Sequence, residues 1–129
     1  MKIDATVMAG DLETIGPRAK GIEAIGYDGL YTAETQHDPF FPLVLAAEHT
    51  EGIDLGTAIA VGFPRSPTHL AHIGHDLQKF SKGRFILGLG SQIKAHIEKR
   101  FSAQFSQPTA RMRELILATR AVWRTWEEG

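Results

Sequence analysis

Three features of this 129-residue chain predict an α/β fold built on a parallel sheet. Apolar, strand-like runs alternate with helical patterns in the order strand then helix. Two of those runs, Leu55–Val61 and Arg84–Leu89, are almost continuously apolar, as strands covered on both faces are. Each run leads into small, polar or chain-bending residues, GFPRSP after the first and GSQ after the second. In barrels of βα units, the loops after the strands carry the chemistry. The pattern alone fits an open sheet as well as a barrel. A complete barrel usually takes ~250 residues, about twice the length of this chain.

The elements read off in order as four strand–helix units with no linker between them. Ile3, Ala5 and Val7 alternate with Asp4 and Thr6 in a first strand. Asp11 is placed to cap a helix in which Leu12, Ile15, Ala19, Ile22 and Ile25 recur at helical spacing. Gly26 and Gly29 bracket the turn into a short strand, Leu30 to Ala33. The loop QHDPFFP leads to a second helix over Leu43 to Thr50. Leu55–Val61 is the third strand, and Ser66-Pro67 starts a helix with an apolar stripe of Leu70, Ile73, Leu77 and Phe80. Arg84–Leu89 is the fourth strand. The last helix places Met112, Leu115, Ile116, Thr119, Val122, Trp123 and Trp126 on one face.

Composition narrows the function. A formal charge of -1 lacks the basic excess of a nucleic-acid binder. No cysteine is present, which excludes disulfides, thiol catalysis and thiolate metal ligands in this sequence. No apolar run approaches the ~20 residues of a membrane span, and MKIDATVMAG has no apolar signal core. The expectation is a cytoplasmic protein that works on a small molecule.

The glycine pattern Gly88-Leu89-Gly90-Ser91 invites a dinucleotide reading, but the third glycine and the downstream acid of that fingerprint are missing. His69, His72 and His75 step by three along the third helix without a carboxylate to complete a metal set. They read as solvated helix surface, and no metal site is predicted. Lys94, Lys99 and Arg100 in KAHIEKRF could meet a phosphate or form a solvated helical face with Glu98. The Trp123/Trp126 pair reads as core or interface.

The blocks LGTAIAV-FPRSP and KGRFILGLGSQ-KAHIEKRF, together with ARMRELILATRAVW, resemble the luciferase-like monooxygenase superfamily, and within it the branch using the deazaflavin coenzyme F420. The likeness runs over essentially the whole chain. It implies the N-terminal half, strands one to four, of a (β/α)8 TIM barrel in a single, incomplete domain spanning 1–129. It also implies a flavin- or deazaflavin-dependent oxidoreductase that moves a hydride between F420 and an organic substrate. The alternatives are an FMN-dependent monooxygenase using dioxygen, or a half barrel that only assembles or binds.

The resemblance assigns His37 the position of an active-site histidine near the ring, at the end of the second strand, where imidazole titrates near neutral pH. The competing reading is a loop histidine held by Asp38 or Glu34. A non-proline cis peptide supporting the ring falls by motif match at Ala58-Ile59, with Thr57 and Ala58 small enough for close approach. Gly90, Ser91 and Gln92 would line the cofactor's polar tail, or they make a plain strand-to-loop turn. Relatives that oxidise sugar phosphates carry a glutamate near Ser91 and a tryptophan after the His37 loop. This chain has neither, so that substrate class is not expected, and Phe40 or Phe41 would wall an apolar pocket. A half barrel has two unpaired sheet edges, so a homo-oligomer completing it is expected.

Overall fold

A computed structural model describes residues 1–8 and 10–129. Its elements are β1 (Asp4–Val7), α1 (Leu12–Ile25), β2 (Gly29–Thr32), α2 (Phe41–His49), β3 (Asp54–Thr57), β4 (Ala60–Val61), α3 (Pro67–Phe80), β5 (Phe85–Ile86), β6 (Leu89–Gly90), α4 (Lys94–Phe101) and α5 (Pro108–Glu128). The main sheet runs β1-β2-β3-β5, every pair parallel, and β4-β6 continues it as a second parallel pair.

Local chemistry sets the helix ends. Asp11 accepts from the Glu13 N–H at 3.1 Å to open α1, and Gly26, at φ 107°, closes it. Ser66 caps α3 through the His69 N–H, with Pro67 in its first turn. At α2 the cap comes from further back: Asp38 Oδ1 accepts from the Phe40 and Phe41 N–H groups. That cap, with Pro42 in the first turn, lets α2 begin at Phe41, earlier than expected.

Each long apolar run makes two short strands where one was expected. Between β3 and β4 the peptide bond Ala58–Ile59 is cis, and the chain there pairs back toward β2. The Ala58 N–H donates to Thr32 O at 2.7 Å, and Ile59 O accepts from the Glu34 N–H at 3.0 Å. Between β5 and β6, the Thr57 hydroxyl inserts into the ladder at Gly88, whose carbonyl also accepts from the Ala60 N–H at 2.9 Å. The hydroxyl donates to Gly88 O at 2.7 Å and accepts from Gly88 N–H at 2.9 Å. Apolar patterning reports burial, not ladder continuity, so the pattern announces neither interruption; the cis bond lies where the resemblance implies it.

Side chains alternate across the sheet. Val7, Leu30, Leu55 and Phe85 face the helices and form one core with Ile15, Ala19, Leu43, Ala46, Leu70 and Leu77. On the opposite face the Tyr31 ring lies over Gly29 and Gly56. Burial raises the Tyr31 pKa, and Asp4 and Asp54 add to it. Phe80, expected in the α3 stripe, is exposed. On α5, the Trp123 indole N–H donates to Ala71 O at 2.9 Å, which fixes α5 on α3. Trp126 stacks on His72, with centroids 5.4 Å apart, and meets the edge of His75. Two of the three helical histidines are thus packed on an indole. Among the described residues no group of three or more metal-ligating side chains converges, and no helix is long and apolar enough to cross a membrane.

Below the sheet, Glu23 accepts from the N–H groups of Glu51, Gly52 and Ile53. Burial pushes its carboxyl pKa up, but those three bonds and the Arg84 charge outweigh this, so the net shift is downward. A carboxyl held below its unfolded value stabilises the fold above that value and loses the contribution as pH falls through the folded value. Urea unfolding of Glu23→Gln is therefore expected to show a deficit against the parent above the ordinary glutamate range that closes as acidification protonates the carboxylate in the folded state. A deficit independent of pH would remove the carboxylate from this account.

Candidate cofactor site

The C-terminal ends of the strands gather the loops Ala33–Phe40, Gly62–Ser66 and Ser91–Ile93. Glu34, just past β2, and Arg65, just past β4, form a largely buried ion pair among them. The guanidinium bonds the carboxylate through both nitrogens, at 2.6 Å and 3.0 Å, and also donates to Val61 O at 2.7 Å. Glu34 Oε2 accepts from Val61 N–H at 2.6 Å. Asp38 lies 3.5 Å from the same guanidinium, which covers the Phe40 ring at 5.1 Å. Sequence reading assigned neither Glu34 nor Arg65 this role. The available signal was an acid ending one strand and an arginine in the loop after the next.

His37 is exposed in the loop after β2. It lines a cavity of about 310 Å³ with Gly10, Leu12, Gln36, Asp38 and Phe41. The suggested holders of a loop histidine are engaged elsewhere: Glu34 with Arg65 and Val61, Asp38 with the α2 N-terminus and Arg65. Of the two phenylalanines, Phe41 lines the cavity and is exposed, whereas Phe40 is buried in the core.

Ala58 is exposed, while Thr57 is buried with its hydroxyl committed to Gly88. Ala58, not Thr57, is thus the small surface a flat ring could approach. Ile59 adjoins Gly90, where an added Cβ would lie 2.6 Å from Ile59 Cδ1. At Gly88 an added Cβ would fall 1.9 Å from Thr57 O. Both glycines therefore have a packing reason independent of any anion.

Ser91 and Gln92 are half-buried after β6; the Ser91 hydroxyl donates to Gln92 O at 3.3 Å. Gln92 has φ 58°, and its Oε1 sits 3.0 Å from His96 Nδ1, so α4 holds this turn. Arg100 of α4 donates to Thr35 O, tying α4 to the His37 loop. The structure thus joins Ala58, Ile59 and Gly90 across adjacent strands. Among the described residues, no hydrogen bond links His37 to them or to Ser91 and Gln92.

The family model for luciferase-like monooxygenases matches residues 2–128. This chain belongs to the luciferase-like monooxygenase family. It is 51% identical over all of its length to "Uncharacterized protein Rv1360" of Mycobacterium tuberculosis, covering 38% of that protein. It is 36% identical over 78% of its length to "Putative coenzyme F420-dependent oxidoreductase Rv3520c" of the same species, covering 29% of it.

Among solved structures, the monooxygenase RslO1 from Streptomyces bottropensis superposes with TM-score 0.83 at 22% identity, over 95% of this chain and 43% of that one. The oxygenating constituent of 3,6-diketocamphane monooxygenase from Pseudomonas putida, solved with FMN, gives TM-score 0.79 at 15% identity, over 95% of this chain and 39% of its own. This luciferase-like chain therefore spans less than half the length of the relatives it matches. Its fold is the α/β half, with parallel strands, of the barrel those relatives share.

Proposed function

We propose that the chain carries the cofactor-facing end of a deazaflavin-dependent oxidoreductase, which moves a hydride between coenzyme F420 and an organic substrate. The observation that carries this reading is the exposed Ala58 just past the C-terminal end of β3, in a chain 36% identical over 78% of its length to a putative coenzyme F420-dependent oxidoreductase. When bound, the deazaflavin supplies the hydride chemistry. Ala58 and Ile59 support its ring, Gly90, Ser91 and Gln92 hold its polar tail, and His37 tunes charge or moves a proton at the cavity beside Phe41.

Titration of the purified chain with F420, followed by the coenzyme's fluorescence, is expected to saturate in the micromolar range and to weaken in Ser91→Ala and Gln92→Ala. Saturation by FMN in place of F420 would instead favour an FMN monooxygenase using dioxygen. Binding of neither would leave a half barrel that only assembles or binds.

The same reading includes a second copy of the chain as partner. β1 and β5 each have one neighbour in the sheet, and both edges run in the same direction. Ile3, Met8 and Ile86 are exposed on or beside these edges. Pairing β1 of one copy with β5 of the other, twice, would close eight parallel strands and bury both edges. Sedimentation of the same preparation is expected to give a dimer, and a monomer at micromolar concentration would overturn this part.

A further inference from the structure

Glu34 and Arg65 hold more of the site than their own pairing needs. Their side chains are only 7% and 16% exposed. From Glu34, the main-chain N–H reaches Ile59 O and the carboxylate reaches the Val61 N–H; Arg65 adds a bond to Val61 O. Residues 59 to 61 are therefore gripped through three backbone groups. On its other side the same guanidinium faces Asp38 and covers Phe40. Asp38 in turn holds the Phe40 and Phe41 N–H groups and is next in sequence to His37.

We propose that Glu34 and Arg65 are positioning residues that lock the His37 loop and the Ala58–Val61 segment into one unit, so that the two sides of the site keep a fixed spacing. The functional meaning of that spacing rests on the cofactor reading above. Only a planar fork can bond both carboxylate oxygens and still reach Val61 O and Asp38, so lysine cannot replace Arg65. Glutamine at position 34 keeps an acceptor for Val61 but loses the second carboxylate oxygen and the charge.

Hydrogen–deuterium exchange of the whole chain without cofactor tests the coupling in Arg65→Lys and Glu34→Gln. Amides of residues 59–62 and 40–41 are expected to exchange about tenfold faster, both segments together, with α1 and α3 unchanged. Acceleration in one segment only, in neither, or evenly throughout the chain would overturn the proposal. If Glu34→Gln does not fold, Arg65→Lys, which keeps the charge, decides alone.

With F420 bound, the variants are expected to shift the coenzyme's absorbance band and weaken its binding about tenfold or more. An unchanged band and affinity would demote the pair to a fold contact. The exchange experiment needs no cofactor, so a failed titration removes the cofactor reading and leaves the coupling to be judged separately.

Discussion

Replacing Arg84 with methionine is expected to destabilise the chain by about 3 kcal/mol, because several part-buried hydrogen bonds from a charged donor are lost together. The guanidinium makes five bonds. Nε donates to Ser81 O at 2.8 Å, and Nη1 to Thr50 Oγ1 and Ile53 O at 2.8 and 2.9 Å. Nη2 donates to Ala47 O and Thr50 O at 3.2 and 3.1 Å. One side chain thus ties the C-terminal end of α2, the entry to β3 and the end of α3 together, and it places a cation where the α2 carbonyls converge. Methionine fills similar volume but leaves those carbonyls without a donor, at about 1–3 kcal/mol for each that water cannot reach. Lysine has no fork and is expected to recover less than half of the loss. Urea or thermal unfolding reads the difference. A loss below about 1 kcal/mol in the methionine variant, ordinary for a surface position, would mean that solvent replaces the guanidinium.

Gly88→Ala is the second large effect. Its methyl would fall 1.9 Å from Thr57 O, a backbone atom that cannot rotate away. Relief requires the β5–β6 strand to move off β3, and that breaks both bonds of the Thr57 hydroxyl to Gly88. Overpacking of about 1–3 kcal/mol adds to the loss of two part-buried hydrogen bonds, so a total of about 3 kcal/mol or more is expected. Thr57→Val keeps the shape and removes only the hydroxyl, so it should show the hydrogen-bond part alone. Gly21→Ala is the control: nothing lies within 4 Å of its added Cβ on α1. Alanine there should stabilise by about 0.5–1 kcal/mol. Should Gly88→Ala unfold like the parent, β5–β6 is more movable than its packing implies.

What the sequence disclosed follows from what is local. Asp11 and Ser66 were legible as caps because a cap is a relation between residues two or three apart. The strand–helix alternation was legible because burial repeats along each element. The breaks in the two long apolar runs were not, because Val61 and Leu89 are as apolar as an unbroken strand requires. The resemblance, not residue chemistry, led to Ala58-Ile59. Arg84 stands in the sequence only as the first residue of the fourth strand, since nothing in its neighbourhood announces carbonyls 31 to 37 residues away. Glu34 and Arg65 are likewise 31 residues apart and meet only once β3 is paired on β2 and the chain continues past it. His72 and His75 are exposed, as the helix pattern predicts, but nothing local announces that Trp126 on α5 lies against them.

In the main sheet, each new strand pairs with the one formed just before it: β2 on β1, β3 on β2, β5 on β3. Among the described strands of this sheet, each pair is closed within one unit of the chain. Each strand–helix unit can be laid on an existing template as it leaves the ribosome, and the loop to be closed at every step is only one unit long. This topology permits assembly of the wall from the N-terminus, and nascent chains arrested after α2 are expected to protect the amides shared by β1 and β2.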